Sequence, residues 1–165
     1  MRKPAVRNMI GIFDSGLGGL TALKEIHRLT PGEELIYFGD TGRVPYGTKS
    51  ADIITKYALQ DASFLMSKGV DAILVACGTV STTALSVLKN TFSVPIIGVV
   101  EPAVKAAVKA TANGKIGIIG TTATIRSGAY ERAIKSFSGD IEIFSQDCPL
   151  FVPLVESGFV GRECK

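Results

Sequence analysis

The chain is poor in the residues that build metal centres. Its 165 residues include one histidine and three cysteines, Cys77, Cys148 and Cys164, with no metal-ligand spacing among them. That scarcity argues against zinc, and an odd, sparse cysteine set suits a reduced cytoplasmic compartment better than a disulfide framework. A block of like charge is missing too, since 18 basic and 15 acidic residues are interspersed and leave a net charge of +3. Nothing here suggests nucleic-acid or membrane-surface binding. The apolar stretch after Arg2, Lys3 and Arg7 is broken by Asp14, too early for a signal-peptide core, and no run approaches membrane-spanning length. A soluble, cytoplasmic protein is expected.

What the chain does have is glycine and apolar residues, 18 glycines and 46% hydrophobic content, as in an α/β protein with many strand-to-helix turns. Met9-Ile-Gly-Ile-Phe13, Leu35-Ile-Tyr-Phe38, Asp71-Ala-Ile-Leu-Val-Ala76 and Pro95-Ile-Ile-Gly-Val-Val100 read as strands, with helical patterns between them. Ser50 can cap the second helix, whose apolar face carries Ile53, Ile54, Tyr57 and Leu65. A second series opens at Glu101-Pro102. It comprises a helix from about residue 102 to 112, a strand at Ile116-Gly-Ile-Ile119, a hydroxyl-rich loop over 121–127, a helix over 128–137 and a strand at Ile141-Glu-Ile-Phe144. Alternating strands and helices predict parallel sheets with right-handed crossovers. The boundary between the series falls near residues 98–102. The second has fewer strands than an ordinary sheet, and residues 158–165 show no closing element, so the chain reads as cut short.

Five segments can carry chemistry. Cys77 follows the third strand and opens into Gly78-Thr79-Val80-Ser81-Thr82-Thr83, at the carboxyl edge where ligands bind in open α/β sheets. A thiol beside helix-start N–H groups is placed to have its pKa lowered, giving a reactive thiolate; a buried, inert cysteine is the competing reading. Asp14-Ser15-Gly16-Leu17-Gly18-Gly19 joins the first strand to its helix, and its backbone N–H groups can hold an anion. The spacing is not the dinucleotide fingerprint, and Asp14 favours a ligand that also bears a positive group, unless Asp14 and Ser15 merely cap the helix. The loop over 39–49 carries Pro45-Tyr46-Gly47, which presents Tyr46 either to a ligand or to the core as a plug. Thr121-Thr122 would face the same region if the two sheets meet, and Glu156 is either a polarising group or a solvated carboxylate. His27 lies mid-helix, away from the strand ends, which leaves a cysteine hydrolase without a base.

Asp14-Ser-Gly-Leu-Gly-Gly-Leu20, Tyr37-Phe-Gly-Asp-Thr-Gly-Arg-Val-Pro-Tyr-Gly47, Val75-Ala-Cys77, Ile97-Gly-Val-Val-Glu-Pro102, Gly120-Thr-Thr-Ala-Thr124 and Cys148-Pro-Leu-Phe-Val-Pro-Leu-Val-Glu156 together resemble the glutamate racemases, over essentially the whole chain. The resemblance implies two flavodoxin-like or Rossmann-like lobes with parallel sheets. The first would span 1–98, without its usual C-terminal return segment, and an incomplete second lobe would span 99–165. It implies cofactor-independent interconversion of L- and D-glutamate for peptidoglycan, with one cysteine removing the α-proton and a second returning a proton to the opposite face. By motif, Cys77 is one base, Asp14 assists it or holds the substrate ammonium, and Glu156 belongs to the catalytic set. Ser15, Tyr46, Gly47, Gly78, Thr79, Thr121 and Thr122 would contact the substrate. No metal or cofactor is implied, glutamate is the expected partner, and the resemblance allows a homodimer.

Two departures stand out. The family has Asn directly after this cysteine, where its amide contacts the substrate, and here Gly78 leaves only backbone. One lost hydrogen bond to a charged ligand weakens binding by about 1.5–3 kcal/mol. The family's second cysteine lies in a downstream Gly-Cys-Thr-His motif absent from this chain, and neither Cys148 nor Cys164 matches it. Very slow or absent racemisation is expected, with exchange of the α-proton of one enantiomer at Cys77. The alternative is a non-catalytic α/β module that binds a small carboxylate or anion through its glycine turn.

Overall fold

The computed structural model describes residues 8–158. Cys164, the basic residues Arg2, Lys3 and Arg7, and most of the final stretch over 158–165 lie outside the described residues.

Strands β1 (Met9–Asp14), β2 (Glu34–Gly39), β3 (Ala72–Val75) and β4 (Ile96–Gly98) form one sheet in the order β2-β1-β3-β4. Every pairing is parallel, with Asp14 opposite Gly39, Phe13 opposite Val75, and Val75 opposite Gly98. The carboxyl ends therefore line up along one edge. From β1 the chain steps to β2 on one side, and β3 then returns to the other side of β1. The crevice at this reversal, between the ends of β1 and β3, is where such sheets leave room for a ligand.

Helices α1 (Leu20–Leu29), α2 (Ala51–Ser67), α3 (Gly78–Thr83) and α4 (Leu85–Thr91) connect these strands. Ser50 caps α2 as expected, its hydroxyl accepting from the Ile53 amide at 3.4 Å. The buried face of α2 is Ile54, Ala58, Asp61, Ala62 and Leu65, at helical spacing, and its apolar members pack with Phe13, Ile73 and Val75 in the main core. Ile53, expected on that face, is exposed because it lies one residue round the helix from Ile54. The single helix expected after Cys77 is two, broken at Ala84. The hydroxyls in its first turns are drawn elsewhere: Ser81 donates to Val75 O at 3.0 Å and Thr82 to Thr79 O at 3.0 Å.

Helix α5 (Val100–Ala110) starts before Pro102, which sits in the first turn, where a missing N–H costs nothing. Val100 and Val104 join a second core cluster with Ile118 and Ile134. Around it lie β5 (Lys115–Gly120), α6 (Thr122–Arg126), α7 (Ala129–Phe137), β6 (Glu142–Asp147) and α8 (Phe151–Glu156), with β5 and β6 forming a parallel two-stranded sheet. Residues 121–127, expected as a loop, contain α6, because the Thr121 hydroxyl caps it by accepting from the Thr124 amide at 3.2 Å. No helix among the described residues is long and apolar enough to cross a membrane.

Candidate active site

A cleft of about 790 Å³ opens at the carboxyl ends of β1 and β3 and continues against the second sheet. Its walls include Asp14, Ser15, Tyr46, Gly47, Cys77, Gly78, Thr79, Thr121 and Glu156. The same walls bring in Cys148 and an apolar flank from α5 and β5 that includes Ala107 and Ile118.

The β1–α1 turn is built around one carboxylate. Asp14 is buried at 7% exposure, and its Oδ2 accepts from the amides of Gly16 and Gly19 at 3.2 and 3.0 Å. The capping reading does not hold, since the N-cap of α1 is Gly19 and no side chain caps it; Asp14 instead braces the turn ahead of the helix and borders the cleft. Gly19 is required by close approach, since a Cβ there would lie 2.6 Å from Asp14 Cβ and 3.0 Å from Ala76 Cβ. Tyr37, on β2, donates its hydroxyl to Gly16 O at 3.0 Å and ties the turn to the sheet. From α8, Glu156 accepts from the Leu17 amide at 3.3 Å and so reaches the same turn across the cleft. Burial, with the negative charges of Asp14, Cys77 and Glu156 nearby, pushes the Tyr37 hydroxyl up to about 12, so it remains a donor at all ordinary pH.

Cys77 is the residue before the first turn of α3 and is 4% exposed. Its Sγ donates to Ser15 Oγ at 3.3 Å, which places the thiol across the crevice from the glycine turn. The expectation of a lowered pKa is overturned. Removal from water, and secondly the Asp14 carboxylate, push the thiol up from 9.0 to about 11, against smaller opposing hydrogen bonds from Ser15 and from backbone. Helix α3 has only six residues, too little dipole to offset that burial.

Helices α3 and α6 meet through hydroxyls. Thr79 and Thr121 have their Oγ1 atoms 3.0 Å apart, and Thr121 donates to Thr124 Oγ1 at 3.0 Å. Close by, the Ala123 amide donates to Gly47 O at 3.1 Å. Gly47 is pressed so closely against Thr121 that a Cβ would lie 2.4 Å from Thr121 Cβ. Thr122 is not brought to the cleft: its hydroxyl turns to the end of β6 and donates to Asp147 Oδ2 at 2.9 Å. Tyr46 borders the cleft, yet it is 1% exposed and its hydroxyl points inward to Asp40 and Asp61. Of the two readings of Tyr46, the plug describes its ring. Gly78 stands in open space, with nothing within 4 Å of a Cβ built there. His27 is exposed on α1, as expected.

A family model described as Asp/Glu/Hydantoin racemase matches residues 10–153. This chain belongs to that family. The glutamate racemase of Geobacter metallireducens is 52% identical over 154 residues, 93% of this chain and 57% of the relative. The crystal structure of the Aquifex pyrophilus glutamate racemase superposes with a TM-score of 0.83 at 51% identity, covering 94% of this chain and 61% of that one. The Francisella tularensis glutamate racemase, solved in complex with D-glutamate, gives a TM-score of 0.83 at 42% identity, over 95% of this chain and 59% of that one. The chain spans 57% to 60% of the length of the curated relatives it matches.

Within this racemase-family fold, several residues that line or support the cleft were not legible in the sequence. Ser81 donates to Val75 O and accepts from the Val99 amide at 3.2 Å, pinning the end of the Cys77 strand to the start of α5. Cys148 lines the cleft because its amide donates to Gly120 O at 2.8 Å, at the end of β5. The Cys148–Glu156 motif was visible in the sequence, but nothing in it assigned Cys148 a place in the site. Buried Asp40 and Asp61 and half-buried Arg43 form a charged cluster behind Tyr46, in which the Arg43–Asp61 contact joins a loop to a helix far apart in sequence. Among the described residues, no group of three His, Cys, Asp or Glu side chains could hold a metal ion.

Proposed function

We propose that the cleft binds glutamate and that Cys77 exchanges its α-proton, as one half of a cofactor-independent glutamate racemisation that supplies D-glutamate for peptidoglycan. On this reading, residues 1–98 form one lobe, residues 99–165 belong to a second, and the substrate lies between them in a cytoplasmic protein. The observation that carries the reading is the Cys77 thiol 3.3 Å from Ser15, on a crevice whose other wall is the Asp14 turn.

The electrostatics suit an amino acid. Asp14 disfavours a thiolate while the cleft is empty, and a substrate ammonium beside Asp14 would cancel that charge. Ligand binding then makes the thiolate accessible where the α-carbon is held. The thiolate forms an S–H bond as the Cα–H bond breaks, and the electron pair passes onto the substrate carboxylate. On this reading the Ser15 hydroxyl, which accepts from Cys77 and keeps its own proton free, donates to that carboxylate as its charge grows, beside the paired hydroxyls of Thr79 and Thr121. Glu156 closes the far wall against the Leu17 amide.

Cys77 is the one base the motifs assign, so proton exchange on one face is expected rather than inversion. The raised thiol also favours a second reading, a binding module whose cysteine is inert. Slow alkylation does not separate the two, because a buried thiol near 11 is slow on either reading. Deuterium exchange does: loss of the α-proton signal from one glutamate enantiomer supports the racemase half-site, and glutamate binding with no exchange of either enantiomer supports the module.

A further inference from the structure

Behind the Pro45-Tyr46-Gly47 motif lies a cluster that the proposed proton transfer does not use. Asp61, on the inner face of α2, is 1% exposed, and Asp40 is 7% exposed. Arg43 bridges them, its Nη2 donating to Asp61 Oδ1 and its Nε forming an ion pair with Asp40 Oδ2, each at 2.6 Å. Its guanidinium lies 4.2 Å from the Tyr57 ring centroid, so the cation is packed on an aromatic face as well. The Tyr46 hydroxyl sits between the carboxylates, contacting Asp40 Oδ2 and standing 2.9 Å from Asp61 Oδ2.

Proton counting limits this arrangement. A tyrosine hydroxyl has one proton and cannot donate to two carboxylates. Both contacts are satisfied together when Asp61 carries a proton, donates it to the Tyr46 oxygen, and Tyr46 donates onward to Asp40. Burial is the main force favouring the protonated Asp61, and it raises that carboxyl to about 6. Two carboxyls and one arginine thus clamp a single side chain, and the backbone of that side chain forms a wall of the cleft.

We infer that Asp61 is a positioning residue for the cleft, acting through Tyr46 to fix where the Pro45-Tyr46-Gly47 segment stands against the second lobe. The path is short and rigid. Tyr46 O accepts from the Lys49 amide at 2.9 Å, which closes the turn. Gly47 O then accepts from Ala123, and the Gly47 backbone abuts Thr121, the hydroxyl partner of Thr79. A loosened Tyr46 shifts Gly47, and Gly47 has no free space in which to shift without moving Thr121. Asp61 does not itself line the cleft, so its effect on a ligand passes through Tyr46 and this chain of contacts. Its effect on glutamate rests on the functional reading above.

Two substitutions separate positioning from bulk stability. Asp61→Asn reproduces the protonated carboxyl, with Oδ1 accepting from Arg43 and the amide donating to Tyr46. Asp61→Ala removes both contacts. In the full chain, amide hydrogen exchange is followed by residue, alongside calorimetric titration with L- and D-glutamate. In Asp61→Ala the Lys49 and Ala123 amides are expected to exchange on the order of tenfold or more faster, the scale of one lost hydrogen bond to a charged group. Amides of β1 and β3 keep their protection, glutamate binding weakens by a similar factor, and Asp61→Asn restores both. The inference is overturned if Ala123 exchange is unchanged in folded Asp61→Ala. It is also overturned if protection falls equally across β1, β3 and Ala123, which marks simple destabilisation. Should the wild-type chain bind neither enantiomer while Ala123 responds as stated, the glutamate reading fails and the positioning of the cleft wall stands.

Discussion

The Cys77 thiol should be slow to ionise in the empty cleft, and the size of the effect follows from its surroundings. With a pKa of about 11 in place of 9.0, the thiolate fraction at pH 8 is roughly 100-fold below that of an unperturbed thiol. Each thiolate is a stronger nucleophile in return, by roughly tenfold for that difference in basicity. Alkylation of Cys77 by iodoacetamide at pH 8 should therefore run roughly tenfold slower than for a free thiol, and slower still because the sulfur is 4% exposed. The assay is the pH–rate profile in a Cys148→Ser, Cys164→Ser background, so that Cys77 alone reports. The rate should climb through pH 10, reach its midpoint near 11 and level only above that. Asp14→Asn, which removes the second-largest cause of the rise, should move the midpoint down. The sign for stability follows: a thiol whose folded pKa is raised contributes stability that is present below the unfolded value of 9.0 and lost as pH rises through about 11. A wild-type midpoint at or below 9.0, or a midpoint unmoved by Asp14→Asn, would refute the reasoning.

Other consequences can be measured separately. Gly78→Asn should fold normally, since its Cβ meets nothing within 4 Å, and should tighten glutamate binding by about 1.5–3 kcal/mol if its amide reaches the ligand; calorimetry showing unchanged affinity would remove that residue from the account. Asp61 binds its proton more tightly in the folded state, with a pKa near 6 in place of 3.8, while Tyr46, Asp40 and Arg43 face it. Its contribution, about 3 kcal/mol, is present below pH 3.8 and lost as pH rises through 6. Urea unfolding of Asp61→Asn should match the wild type near pH 4 and exceed it above pH 6; a pH-independent difference would contradict the assignment. Thr122→Val should leave glutamate affinity unchanged while Thr121→Val lowers it, because only Thr121 faces the cleft, and equal losses would place Thr122 in the site after all.

The sheets were legible because the strands are short, mostly apolar runs bounded by glycine or polar turns, and the first helix follows the Asp14–Gly19 turn that breaks the pattern. Cys77 could be placed at a strand end for the same reason. Its protonation could not, because the strand-end rule counts nearby N–H dipoles and says nothing of how deeply the sulfur is packed. Tyr46 was ambiguous because one residue presents its backbone to the cleft and its hydroxyl to the core. The Asp40, Arg43 and Asp61 cluster joins a loop to a helix, and no periodicity reports such a pairing. Thr121 and Thr122 are adjacent and chemically alike, so only the start of α6, which turns one to the cleft and the other to Asp147, tells them apart.

The most direct measurement follows the α-proton resonances of L- and D-glutamate by NMR in D2O with the chain present. Loss of the signal from one enantiomer, abolished by Cys77→Ser and unchanged in Cys148→Ser, is the predicted result. Retention of both signals at saturating glutamate, or exchange that persists in Cys77→Ser, would contradict the assignment of Cys77 as the base.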